Sequence, residues 1–174
     1  TYTDLFMISH SSPSKVYFNN GDGTFTDSGQ NIGLASDNPG MIVLGDVDLD
    51  DDIDAFISYY GPPNRLWLND GNGFFTATGT LFGGTGNSAS MALNDFNGDL
   101  LPGLFLCMGE APDQVWMNEG NGDFTNSGQA LGASAGDGSP DSQDVDGDGD
   151  NDVVVGNNVE GIKVWLNQDN SGTF

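Results

Sequence analysis

Asp144, Val145, Asp146, Gly147, Asp148, Gly149, Asp150, Asn151 and Asp152 follow one another, and the apolar run Val153 to Val155 comes directly after. Calcium takes six to eight oxygen ligands, many of them carboxylates and backbone carbonyls. Positions one, three, five and nine of this loop offer the carboxylates of Asp144, Asp146, Asp148 and Asp152, and position seven, Asp150, offers its carbonyl. Gly147 and Gly149 free the backbone to curl, so that alternate carboxylates converge. Carboxylates crowded in this way repel one another unless a cation lies between them. The opening resembles a helical calcium module, but such a module needs a bidentate Glu at position twelve and a helix on each side. Position twelve here is Val155, and the flanks read as strands.

The loop recurs. Asp46, Asp48, Asp50 and Asp54 repeat the four acids, with Asp52 at position seven, while Leu49 and Asp51 replace the glycines and predict a stiffer turn. Asp95, Asn97 and Asp99 repeat three of the positions, with Leu101 at position seven and Gly103 at position nine. Weak binding or none is expected of this middle loop. Both offsets are 49 residues, and Asp4, 50 residues before Asp54, reads as position nine of a further loop.

Two more features keep the same register. Apolar runs follow the acids at Leu5 to Ile8, Ala55 to Ile57, Leu104 to Leu106 and Val153 to Val155. An aromatic strand, an Asn and a glycine turn recur at Tyr17 to Phe25, Trp67 to Phe75, Trp116 to Phe124 and Trp165 to Phe174. The second repeat reads as four short strands: Met41 to Leu44, Ala55 to Tyr60, Arg65 to Asn69 and Phe74 to Thr78. The last two are joined by Asp70-Gly71-Asn72-Gly73, a strong hairpin signal. No segment carries a helical period over ten residues. The expected fold is all-β, with β-propeller blades of four antiparallel strands and a repeat of about 49 residues. The division expected is a partial blade over 1–37, blades over 38–86 and 87–135, and a blade over 136–174 with a shortened outer strand. A propeller must satisfy its strand edges. Closure is therefore expected within a larger propeller, by self-association, or as a four-bladed ring.

The charge excludes whole classes of partner. There are 26 acidic residues against Lys15, Arg65 and Lys163, for a formal net charge of −23. Such a chain is repelled by nucleic acid and by anionic membranes. No stretch approaches the ~20 apolar residues of a membrane span. Cys107, the single cysteine, forms no intrachain disulfide and reads as a buried thiol; His10, the single histidine, reads as an exposed loop residue. Tyr17, Trp67, Trp116 and Trp165 share one repeat position and are read as packing between blades rather than as sugar-stacking platforms. Asn19, Asn69, Asn118 and Asn167 are expected to hydrogen-bond the turn that follows each of them.

On these residues the chain resembles the FG-GAP/VCBS repeats, the calcium-bearing blades of integrin-α-type propellers. The resemblance covers essentially the whole chain. Asp144 to Asp152 matches the motif fully, Asp46 to Asp54 matches its acids, and Asp95 to Gly103 matches in part. It implies structural calcium, an extracellular or periplasmic location, and roles in adhesion, in carbohydrate binding or as an accessory to secreted enzymes. A noncatalytic binding or adhesion module, with a protein or carbohydrate ligand, is expected first. A structural segment of a larger secreted protein and a polysaccharide-active enzyme are the alternatives. For an enzyme, the acids outside the repeat register are Glu110, Asp113, Asp137 and Glu160.

Overall fold

The computed structural model describes residues 2–84, 88–132, 138–157 and 161–174. The boundaries drawn at 86/87 and 135/136, and the acids Asp137 and Glu160, lie outside them. No helix occurs among the described residues, and 14 strands form four antiparallel sheets. The first sheet holds β1 (Leu5–Met7), β2 (Lys15–Asn19) and β3 (Phe25–Asp27). The second holds β4 (Pro39–Gly45), β5 (Asp54–Tyr59), β6 (Asn64–Asn69) and β7 (Phe75–Phe82). The third holds β8 (Ser88–Asn94), β9 (Gly103–Met108), β10 (Gln114–Gly120) and β11 (Asp123–Asn126). The fourth holds β12 (Gly138–Gln143), β13 (Asp152–Asn157) and β14 (Gly161–Trp165). Each sheet is a meander whose neighbouring strands are also consecutive in the chain. The strands expected in the second repeat are all present, and β7 runs four residues beyond the expected Thr78.

The sheets pack face to face, and strand alternation decides which side chain meets which neighbour. In β5 every residue is buried. Ala55, Ile57 and Tyr59 join Val16, Ile32 and Trp67 in the seam between the first and second sheets. Phe56 points the other way, into a seam with Leu66, Phe82, Leu104, Leu106 and Phe124. Phe105, Cys107 and Val115 then meet Val153 and Val155 between the third and fourth sheets. Strands buried on both faces read as unbroken apolar runs, which is why no polar alternation marks them in the sequence. Among the described residues no apolar cluster joins the fourth sheet to the first, so the sheets stand as a row with three seams. The leading strands of successive sheets lie side by side, β4 by β8 and β8 by β12. Asn94 Nδ2 donates to the Ser142 carbonyl at 3.2 Å across the second of these contacts.

Phe56 stacks edge-on against Phe82 and Phe124 at 5.1 and 5.2 Å. Truncation leaves a cavity that surrounding sheets cannot collapse into. Phe56→Ala is expected to cost about 3–5 kcal/mol of unfolding free energy, measured by chemical denaturation.

Candidate metal centres

The acidic loops join the first two strands of a sheet: residues 46–53 lie between β4 and β5, 95–102 between β8 and β9, and 144–151 between β12 and β13. Two groups of carboxylates converge within them. One oxygen from each of Asp46, Asp48 and Asp50 lies within 4.8 Å of the others, and so do oxygens from Asp144, Asp146 and Asp152. Asp54 and Asp148 stand outside these groups. The curl is built from carboxylates bonded to backbone N–H groups. The Asp144 carboxylate accepts from Gly147 N at 2.7 Å and Gly149 N at 3.1 Å. Asp46 accepts from Asp50 N and Asp51 N at 3.2 and 3.1 Å. Asp95 accepts from Gly98 N and Leu100 N at 2.8 and 2.9 Å.

The bend requires left-handed backbone at positions four and six in every loop. Gly147 and Gly149 have φ of 86° and 98°, while Leu49 and Asp51 adopt 59° and 71° and Leu100 adopts 73°. The stiffer turn expected of the first loop is thus the same turn, held under strain by residues with a Cβ.

Position nine has a second task. Asp54 accepts from Val47 N at 3.0 Å and Asn69 N at 2.9 Å, and Asp152 accepts from Val145 N at 3.0 Å and Asn167 N at 2.8 Å. Asp4 accepts from Asn19 N at 2.8 Å. This Asp, at the start of one strand, pins the loop to the strand that follows, whether or not it also meets a cation. The middle loop replaces it with Gly103. A Cβ there would sit 3.1 Å from the Phe96 ring and 3.1 Å from the Trp116 carbonyl oxygen. Phe96, larger than Val47 or Val145, occupies the space that an aspartate would need. Asn97 Nδ2 donates to Asp99 at 2.9 Å, so this loop closes with an amide bond where the other two gather carboxylates.

The asparagines do more than expected. Asn19, Asn69, Asn118 and Asn167 each accept from a glycine N–H of the following turn at 2.9–3.1 Å. Each also donates from Nδ2 to the carbonyl that precedes position nine. Asn118 and Asn167 make one further bond, to the position-two carbonyl of the preceding repeat: Val47 O at 2.8 Å and Phe96 O at 2.7 Å. Val47 and Phe96 are fully buried in the seams beside them. Each of these acidic loops is therefore plugged into the next sheet. At the first seam a groove of about 380 Å³ lies beside Asn69, lined by Tyr2, Asp4, Phe6, Asp52 and Phe75. A second tie escaped the sequence reading. Gln30 bonds Gly73 O and Phe75 N of the next repeat at 2.7 and 2.8 Å, and Gln129 bonds Gly172 O and Phe174 N at 2.6 and 2.8 Å. The shared Ser-Gly-Gln at 28–30 and 127–129 is the signal that carries it.

Of the acids outside the register, Asp113 caps a strand end by accepting from Met108 N at 2.9 Å, and Glu110 is exposed. Asn64 does the same service for Tyr59 N at 3.0 Å. Cys107 is buried, and burial pushes its thiol far above the ordinary range. His10 is exposed, with Nδ1 2.8 Å from Asn38 Oδ1. Trp67, Trp116 and Trp165 all pack into the seam with the preceding sheet.

A family model for the FG-GAP-like repeat matches residues 1–57 and 95–155, well over half of the chain and all three acidic loops. The chain belongs to this repeat family. FG-GAP-like repeats are typically noncatalytic modules and often occur in extracellular proteins. No curated protein matches the chain. No helix among the described residues is long and apolar enough to cross a membrane.

In this FG-GAP-like chain four loop carboxylates, those of Asp48, Asp52, Asp54 and Asp146, resist ionisation. Burial, then repulsion from Asp50 and Asp46, holds Asp48 above the ordinary 3.8, and burial raises Asp54 against the N–H groups of Val47 and Asn69. Asp52 and Asp146 are raised by desolvation first and then by neighbouring acids. With no cation bound, the folded state therefore holds more protons than the unfolded state between 3.8 and these raised values. Stability then rises as pH falls through that window. Asp22 and Asp70, held below 3.8 by hydrogen bonds from Thr24 and from Asn72 and Phe74, lose their contribution only at lower pH. Thermal unfolding in chelator is expected to show a midpoint that rises as the pH falls toward 3.8, and divalent cation should flatten the profile. A second prediction concerns strain. Leu49→Gly should raise stability by roughly 0.5–1 kcal/mol, the left-handed penalty relieved less the freedom glycine gains when unfolded.

Proposed function

We propose that the chain is a noncatalytic, calcium-stabilised β-propeller module of an extracellular or periplasmic protein. In this reading the segments 1–37, 38–86, 87–135 and 136–174 each supply a blade or part of one. The observation that carries it is the buried Asp48 Oδ1, which has no hydrogen-bond partner although it stands within the converging Asp46, Asp48 and Asp50. A buried anion without a donor is costly, and a hard cation with oxygen ligands is the group that answers it. Asp46, Asp48 and Asp50 would hold one calcium ion, joined by the Asp52 carbonyl and by Asp54. Asp144, Asp146 and Asp152 would hold a second, joined by Asp148 and the Asp150 carbonyl. Asp95, Asn97, Asp99 and the Leu101 carbonyl offer too few charges for tight binding.

The ion would act through the fold. The first loop also inserts Val47 into the next seam, so ordering the loop orders the seam. Binding energy then appears as folding stability, about 2.7 kcal/mol per site at a hundredfold excess over Kd. The ligand of such a module, protein or carbohydrate, would meet the connecting loops on one face of the row.

Calorimetric titration with calcium, paired with thermal unfolding in calcium and in chelator, tests this. Two tight sites and a midpoint several degrees higher in calcium are expected, with Asp48→Asn removing one site and leaving the other. Absence of binding heat together with an unchanged midpoint would overturn the reading.

A further inference from the structure

Asn118 and Asn167 are buried, and each divides its amide N–H groups between two different acidic loops. Asn118 Nδ2 donates to Val47 O of the first loop at 2.8 Å and to Pro102 O of the middle loop at 3.1 Å. Asn167 Nδ2 donates to Phe96 O of the middle loop at 2.7 Å and to Asn151 O of the last loop at 3.2 Å. Their Oδ1 atoms are engaged as well, by Gly120 N and Gly172 N. One more bond runs from loop to loop: Asn151 Nδ2 donates to Asp95 O at 2.8 Å. The middle loop is thus gripped at both ends, at Asp95 and Phe96 with the last loop and at Pro102 with the first. The outer members of this relay sit among the candidate ligands. Val47 stands between Asp46 and Asp48, and Asn151 stands between Asp150 and Asp152. An ion that fixes Asp46 and Asp48 therefore fixes Val47 O, and an ion that fixes Asp152 fixes Asn151. A buried amide that loses one of two acceptors is left with an unpaired donor, so Asn118 and Asn167 are satisfied only while both loops they touch are in place.

We propose that the first and last loops bind their cations cooperatively, with the middle loop as the connector and Asn118 and Asn167 as positioning residues. This coupling rests on the calcium reading above and adds to it how the two sites communicate. The middle loop keeps the curl of the other two, with Asp95 accepting from Gly98 N and Leu100 N, although it gathers fewer carboxylates. Its task is then to hold a shape that both neighbours can grip. The first ion orders its own loop and, through the relay, the middle loop. The second ion meets a loop that is already held, and less chain entropy is lost on its arrival. Repulsion between the two bound ions acts in the opposite direction and is screened by salt.

The test is calcium titration calorimetry at high salt on the wild-type chain, on Asp48→Asn and on Asp146→Asn, since each variant leaves one site to fill alone. The product of the two wild-type affinities should exceed the product of the two single-site affinities by roughly five- to fiftyfold, within the usual range for coupled sites. With Asn118→Ala added to all three chains, that ratio should fall to about one. A merely structural role for Asn118 would lower the unfolding midpoint and leave the ratio as it was. Hydrogen exchange on Asp48→Asn gives a second reading with every asparagine of the relay intact. Calcium can fill only the last loop of that variant, and it should slow exchange at Gly98 N and Leu100 N of the middle loop and at Asp50 N and Asp51 N of the first. A wild-type product equal to the single-site product, or calcium that protects the last loop alone, overturns the coupling and leaves the calcium reading standing. Absence of binding heat in the wild-type chain overturns both.

Discussion

The second strand of each repeat must be buried on both faces, and the rest of the architecture follows from that need. A sheet of three or four short strands cannot bury two apolar faces by itself. β5 shows the solution: Ala55 and Ile57 lean on the sheet before it and Phe56 on the sheet after it. Every sheet is therefore incomplete without neighbours, and stability is shared between intrinsic pairing and nearest-neighbour seams. The same need leaves exposed apolar residues on the outermost faces, where Met7 and Val164 have the side chains of a seam and no sheet against them.

The acidic loops are tied into this scheme by the apolar residue at position two. Position two of the loop is Val47 or Val145, flanked by aspartates, or Phe96, flanked by Asp95 and Asn97. Where a sheet follows, that residue is buried and its carbonyl is held by the next Asn. A loop that looks like a surface appendage is therefore part of the core, and its conformation is transmitted to the adjoining repeat. The middle repeat shows the cost of varying it. Phe96 fills its seam more fully than valine would, touching Phe174 at a centroid distance of 5.5 Å, and position nine becomes Gly103. Packing there has displaced a carboxylate.

Much of this was legible in the sequence, because three features in one register leave little freedom in the fold. The strands of the second repeat fall within two residues of expectation at every end except the far end of β7. The turn-bonding role of the four asparagines and the packing of the tryptophans were readable for the same reason. What was not readable lies between repeats. A period maps Asn118 onto Asn69 but says nothing about which loop stands beside it, so the bond from Asn118 to Val47, 71 residues away, has no local signature. The Gln30 and Gln129 clasps are hidden likewise, since the second repeat carries Thr80 at that position and breaks the pattern. Leu49 hid its left-handed backbone because its side chain gives no hint of it.

The few cations follow the same logic as the many acids. Lys15, Arg65 and Lys163 occupy one repeat position, two residues before the aromatic, and Gln114 holds that position in the third repeat. They sit in β2, β6 and β14, away from the acidic loops, with Lys15 3.5 Å from Asp27. None of the three lies within an acidic loop itself, where a cation would relieve the repulsion of the carboxylates. A chain selected only for a stable fold would gain by placing a cation there or by replacing the acids. Keeping Asp46, Asp48 and Asp50 together, with Asp48 Oδ1 buried and unpartnered, costs stability while they are ionised. In the proposed reading a cation from solution returns that stability, and the acidity of these loops is arranged to receive it.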